Sequence, residues 1–189
     1  GNISASGGVY IGVASDKIVA NPGTITGSIG VIIRGNNLSE LLKKIGIKFE
    51  TIKSGVYKDI LSPDKPLSDE GRDLLQGLID ESYKQFTEAV SEGRNIPVEE
   101  VKKFADGRIF TGTQAKELGL VDEIGDEFLA REIAAEMVKI DPKMQPVTFG
   151  KKKKKFLGLI PGSKILGKII HNIFFEVNSS NKILWLYKP

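Results

Sequence analysis

The chain has 189 residues, 40% hydrophobic, 27% charged and 7% aromatic, enough for one substantial core and too little for two full domains. That composition excludes a wholly disordered, collagen-like or coiled-coil chain, and the absence of cysteine excludes disulfides, a thiol nucleophile and cysteine-held zinc or iron–sulfur sites. The net charge of +3 is uneven: nine basic residues and one acid from Lys151 onward give +8, leaving the first 150 residues at −5. An acidic body with a basic tail is not the pattern of a nucleic-acid-binding face; it suits a body with a surface-seeking appendage.

Taken in chain order, Ile3 to Ala14 is small, glycine-rich and apolar, which predicts a tight turn leading into a buried helix. Lys17 to Ala20 and Ser28 to Ile33 read as short strands on either side of the turn Asn21-Pro22-Gly23. Leu38 to Ile45 has helical spacing, with Asn36 or Asn37 as cap and Gly46 as stop, and Ile47 to Lys53 alternates as a strand would. The longest helix is expected from Ser68 to Gly93, where Leu74, Leu75, Leu78, Ile79, Tyr83, Phe86 and Val90 keep a 3.6-residue stripe. Asn95-Ile96-Pro97 opens a shorter helix ending near Phe104. Further helices are expected over Thr111–Leu118, stopped by Gly119, and over Asp126–Val138, with Pro146–Phe149 as a last strand. Short strands alternating with helices indicate an α/β protein.

The expected organisation is a catalytic body over residues 1–149 and a tail over 150–189. In the tail, Lys151 to Lys155 lead into apolar residues with lysines spaced among them. That pattern fits first a solvated run joined to a docked helix, and second a membrane-surface element. No stretch approaches the ~20 consecutive apolar residues of a membrane span, and no secretory signal is visible. The chain opens at Gly1 rather than methionine, directly in a small-residue run, so an upstream segment is expected.

The histidine count narrows the chemistry. The one histidine, His171, lies in the tail, so a Ser-His-Asp triad inside the acidic body is excluded. A hydrolase built there must activate its nucleophile with lysine or a carboxylate, as Ser-Lys dyads do. Lysine serves as a base only where burial or a cationic neighbour lowers its pKa from ~10.4. Ser6, in Ser4-Ala5-Ser6-Gly7-Gly8, is the candidate nucleophile, with Ser4 as competitor. Glycine beside it lets substrate approach the backbone, and a helix opening there aims amides such as that of Gly7 at a developing oxyanion. The same residues also suit a plain turn that packs two elements together. Lys58, in Ser54-Gly55-Val56-Tyr57-Lys58-Asp59-Ile60, is the candidate base, although 22 lysines share the chain and spacing alone does not select it.

Several long motifs occur in one order: Ser4 to Ile11, Ser15 to Val31, Ser54 to Ile60, Asp106-Gly107-Arg108-Ile109-Phe110-Thr111-Gly112 and Ala115 to Asp122. Together they resemble the catalytic half of the signal peptide peptidase A (SppA, protease IV) family, over about Ile3 to Val138. The terminal Leu184-Trp185-Leu186-Tyr187 is similar to the aromatic end of its shorter members. The resemblance implies an α/β, ClpP/crotonase-like fold whose first strands lie upstream of this chain. It implies Ser6 as nucleophile, Lys58 as general base, Gly7 as an oxyanion amide and Ser28 as the hydroxyl that orients Lys58. It further implies remnant signal peptides or small membrane-associated peptides as substrates, while the lack of any nucleotide, metal or flavin signature implies no cofactor and no metal, and the charge pattern no nucleic acid. A ring-like homo-oligomer is expected, tethered to the cell membrane by an upstream anchor, with the basic tail as a second contact and the catalytic domain on the extracytoplasmic side. Two other readings stay open: a crotonase-like acyl-CoA enzyme, suggested by Gly119-Leu120-Val121-Asp122, and a non-catalytic scaffold using the tail.

Overall fold

The computed structural model describes residues 1–143, which divide into two compact units, residues 1–32 with 74–143 and residues 33–73. The expected Pro146–Phe149 strand, the boundary at 149/150 and the tail lie outside the described residues. In chain order the elements are β1 (Ile3–Ala5), α1 (Gly7–Gly12), β2 (Val19–Ala20), β3 (Ile25–Gly27), α2 (Ser39–Lys44), a 3-10 turn at Val56–Asp59, α3 (Asp69–Arg94), α4 (Val98–Phe104), β4 (Ile109–Phe110), α5 (Gly112–Glu117), β5 (Glu123–Ile124) and α6 (Glu127–Met137). The chain is α/β, as expected.

In the first unit β1, β3 and β4 form one sheet, with β1 parallel and β4 antiparallel to the central β3. Val19 and Ala20 of β2 pair in parallel with Glu123 and Ile124 of β5. The core gathers Val9 and Val13 from α1 and its end, Phe86 and Val90 from α3, Val101 and Phe104 from α4, and Ala115 from α5. The Tyr10 ring meets Phe86 edge to face at 5.4 Å, which couples α1 to α3. Gly93 sets the approach of the same two helices: a Cβ there would lie 2.1 Å from the Val13 carbonyl oxygen.

Helix starts follow the local chemistry. Thr111 and Gln114 form a reciprocal capping box at α5, and the Asp126 carboxylate accepts from the Phe128 and Leu129 amides at α6. Within residues 33–73, the Asn37 side chain accepts from the Ser39 amide at 3.1 Å, and Gly46 turns away with φ 76°. The Ser68 hydroxyl accepts from the Gly71 amide at 3.1 Å.

Two strand expectations fail. The strand expected over Ser28–Ile33 is instead Ile25–Gly27, because Gly27 (φ 78°) and Ser28 (φ 53°) bend the backbone out of the ladder; Ile29 is then fully buried as a core side chain. The alternating Ile47–Lys53 forms no strand among the described residues. Its Ile47, Phe49 and Ile52 are all exposed, so the alternation has no buried face to serve. The α3 stripe is a helix as expected, yet Leu74 and Leu78 stay exposed and burial concentrates on Phe86, Thr87 and Val90.

Candidate active site

The sheet places two serines side by side. Ala5 is paired with Gly27 at the ends of the parallel strands β1 and β3, so Ser6 and Ser28 are the next residue on each. Both have left-handed backbones, φ 54° at Ser6 and 53° at Ser28. The Ser6 amide donates to the Gly27 carbonyl at 2.8 Å, and the Ser28 amide donates to the Arg108 carbonyl at 2.7 Å. Glycine is required between them. Besides its positive φ, a Cβ at Gly27 would lie 2.6 Å from the Phe110 ring and 2.9 Å from the Arg108 oxygen.

Ser6 also starts α1. Its carbonyl accepts from the amides of Val9 (2.9 Å) and Tyr10 (3.1 Å), while its own ψ of −115° is non-helical. A non-glycine residue held there stores roughly 1–3 kcal/mol of strain. A sharp strand-to-helix turn of this kind carries the exposed nucleophile of α/β-hydrolases. The competitor Ser4 has a different setting: it sits mid-strand opposite Thr26, with its hydroxyl 2.9 Å from where a Gly8 Cβ would be. Ser4 thus faces α1 from within the strand, whereas Ser6 lies at the turn. Gly7 has open space around it, nothing lying within 4 Å of a Cβ built there. Its amide belongs to the first helical turn, where donors lack intrahelical partners.

Lys58 belongs to the second unit. It is exposed on the 3-10 turn Val56–Asp59, with its amide donating to the Gly55 carbonyl at 3.2 Å. Its side chain has no ion pair or hydrogen bond among the described residues. The adjacent Asp59 carboxylate is engaged by Lys53 at 2.8 Å and Lys65 at 2.7 Å. Hydrogen bonds from Lys53 and then Lys65 hold its pKa down to about 2. The first unit thus brings Ser6, Gly7 and Ser28 together, and the second positions Lys58.

Two charged groupings had no role in the sequence reading. Arg94, nearly buried at the end of α3, meets Asp122 at 2.7 Å and donates to the Gly119 carbonyl at 3.0 Å. Asp122 also accepts from the Ile18 amide at 2.8 Å and pairs with Lys17 at 3.2 Å. Burial alone would raise the Asp122 carboxyl, but the Ile18 amide, Lys17 and Arg94 outweigh it and hold it low. The second grouping is Asp106 with Arg108, beside Ser28. An arginine closing a long helix, and an Asp-Gly-Arg turn before a strand, were the signals available. Among the described residues, no cluster of three histidines, cysteines or carboxylates could hold a metal. No helix among them is long and apolar enough to cross a membrane.

Comparison with known proteins follows this geometry. Residues 1–141 match the family described as Peptidase family S49. A Synechocystis sp. protein with a provisional protease name is 52% identical over 198 residues, covering 100% of this chain and 72% of its own length. A provisionally named signal peptide peptidase SppA from Enterococcus faecium is 46% identical over 147 residues, 78% of this chain and 42% of its own. The chloroplastic serine protease SPPA of Arabidopsis thaliana is 37% identical over 134 residues, 70% of this chain and 20% of its own. The chain therefore spans less than half the length of the last two relatives. Among solved structures, an enoyl-CoA hydratase/isomerase family protein from Hyphomonas neptunium matches over 97% of this chain and 58% of its own at 17% identity, with a TM-score of 0.38. The ClpP/crotonase-like class expected above goes with the matched family. With most of its length matched and relatives up to 52% identical, the chain belongs to peptidase family S49.

Proposed function

We propose that this chain carries the reacting residues of a serine endopeptidase with a Ser-Lys dyad, Ser6 as nucleophile and Lys58 as general base. The observation that carries the reading is the strained Ser6 turn at the junction of β1 and α1. Family membership and the protease names of the relatives support it.

In the reaction, the neutral Lys58 amine takes the Ser6 hydroxyl proton as Oγ bonds to the scissile carbonyl carbon. The Gly7 amide donates to the resulting oxyanion. The intermediate collapses, the C–N bond breaks, and the leaving amine takes the proton from the Lys58 ammonium. A water then gives a proton to Lys58 and attacks the Ser6 ester. Breaking of the C–Oγ bond releases the acid and restores the serine proton. Ser28 accepts a hydrogen bond from the Lys58 amine and keeps it aimed at Ser6.

The substrates on this reading are remnant signal peptides or other small membrane-associated peptides. The setting is a ring-like homo-oligomer at the cell membrane with its catalytic part on the extracytoplasmic side. No cofactor enters the chemistry.

The test is hydrolysis of a quenched apolar peptide by the full-length protein, alongside Ser6→Ala and Lys58→Ala. Both variants should lose turnover while keeping the wild-type circular dichroism. Turnover retained in either overturns the dyad. A stable wild type with no turnover and no labelling by a fluorophosphonate would favour the scaffold reading.

A further inference from the structure

Asp106 and Arg108 form an exposed ion pair, and the backbone of Arg108 bonds to Ser28. The Asp106 carboxylate accepts from the Arg108 backbone amide at 3.1 Å and from its Nε at 2.8 Å. Between them, Gly107 (φ 90°) donates its amide to the Ile29 carbonyl at 3.0 Å. The Arg108 carbonyl beyond the turn is the acceptor for the Ser28 amide at 2.7 Å. Segment 106–108 thus holds Ser28 and Ile29 from both sides of one residue pair. Gly27, immediately before, carries the carbonyl that fixes the Ser6 amide.

An ion pair with about half of each side chain in solvent contributes little to stability. Its geometric effect is larger. Ser28 sits at φ 53°, a conformation that does not persist without surrounding contacts that impose it. The Arg108 carbonyl is one such contact, held between the turn that Asp106 closes and the pairing of Ile109 with Gly27.

We propose that Asp106 is a positioning residue, which closes the turn that presents the Arg108 carbonyl to Ser28 and thereby holds the Ser28–Gly27–Ser6 junction in its reactive shape. The proposal rests on the roles given above to Ser6 and Ser28. Asp106 touches neither substrate nor the reacting atoms; it acts through the Arg108 backbone. The guanidinium secures the carboxylate, whereas the bond to the Arg108 amide closes the turn. The asparagine variant, whose side-chain oxygen still accepts from that amide, should therefore retain the function.

The test is steady-state hydrolysis of a quenched apolar peptide by the full-length protein carrying Asp106→Ala or Asp106→Asn. In Asp106→Ala, kcat should fall by about tenfold to a hundredfold, the scale of a small misplacement of a reacting group, with KM changed less than about twofold. Asp106→Asn should recover most of the lost kcat. Equal kcat in wild type and Asp106→Ala overturns the proposal, as does an asparagine variant as impaired as the alanine one. If the alanine variant fails to fold, the asparagine variant decides alone: near wild-type kcat supports the proposal and a loss overturns it. A wild type without turnover would sink the peptidase reading instead. Amide hydrogen exchange then decides the positioning claim: faster exchange at Ser28 in Asp106→Ala supports it, and unchanged protection overturns it.

Discussion

Arg94, nearly buried at the end of α3, holds Asp122 at 2.7 Å while its Nε donates to the Gly119 carbonyl at 3.0 Å. One side chain thereby ties the long helix to the turn after α5 and, through Asp122, to the Ile18 amide ahead of β2. Arg94→Ala leaves a partly buried carboxylate and a carbonyl short of partners. It should cost about 2 kcal/mol in chemical denaturation.

Acid should loosen the same cluster. The Asp122 carboxyl is depressed in the folded protein, burial being outweighed by the Ile18 amide, Lys17 and Arg94. A group whose folded pKa lies below its unfolded value, about 3.9 for aspartate, adds stability that is whole above that value and is lost as pH falls through the folded one. Asp122→Asn should therefore flatten the stability profile below about pH 4. A wild-type and variant profile of equal slope there would count against the cluster.

Ser6→Gly should separate stability from chemistry. Glycine adopts φ 54° without penalty, so relief of strain should outweigh its added unfolded-state freedom, for a net gain of about 1 kcal/mol. Turnover should vanish. A thermal midpoint at or below the wild-type value would remove the case for strain at this turn.

Two glycines of α3 should respond to alanine with opposite signs. Gly77 has open space where a Cβ would go, and alanine there should add about 0.5–1 kcal/mol. At Gly93 the new methyl would lie 2.1 Å from the Val13 oxygen, forcing α1 and α3 apart at a cost of about 2 kcal/mol or more. Paired melting curves read both.

Lys58→Arg should be as inactive as Lys58→Ala, because a guanidinium does not give up its proton in a protein. Ser28→Ala should keep some turnover, reduced by about tenfold to a hundredfold, since orientation is impaired while nucleophile and base remain. Peptide hydrolysis by the arginine variant at any measurable rate would argue against Lys58 as base.

Local chemistry was legible where a residue decides its own neighbourhood. The caps at Thr111 and Asp126, the Asn37 start, the Gly46 stop and the long α3 stripe all follow from side-chain pattern. The turn at Ser6 was legible for the same reason, from the glycines beside it. Strands were less so. β2 lies inside the run Lys17 to Ala20 that reads as a strand, whereas β4 and β5 have two residues each and exist through their partners rather than through any pattern of their own. Ile29 looked like a strand residue because it is β-branched and apolar, yet it is a core side chain placed by two left-handed residues before it. Nothing in the alternation of Ile47 to Lys53 says whether a neighbouring strand is present to accept it. Arg94 was invisible because its partner lies 28 residues away in sequence.

The commitment of the Ser6 amide to the Gly27 carbonyl also limits what the turn itself can do for negative charge. A nucleophile whose own N–H faced the substrate would supply one of the donors to the tetrahedral oxygen. Here that donor is already bonded to the sheet, so on the function proposed above the oxyanion turns to the amides that begin at Gly7. On that reading the start of α1, and not the nucleophile's own backbone, meets the negative charge.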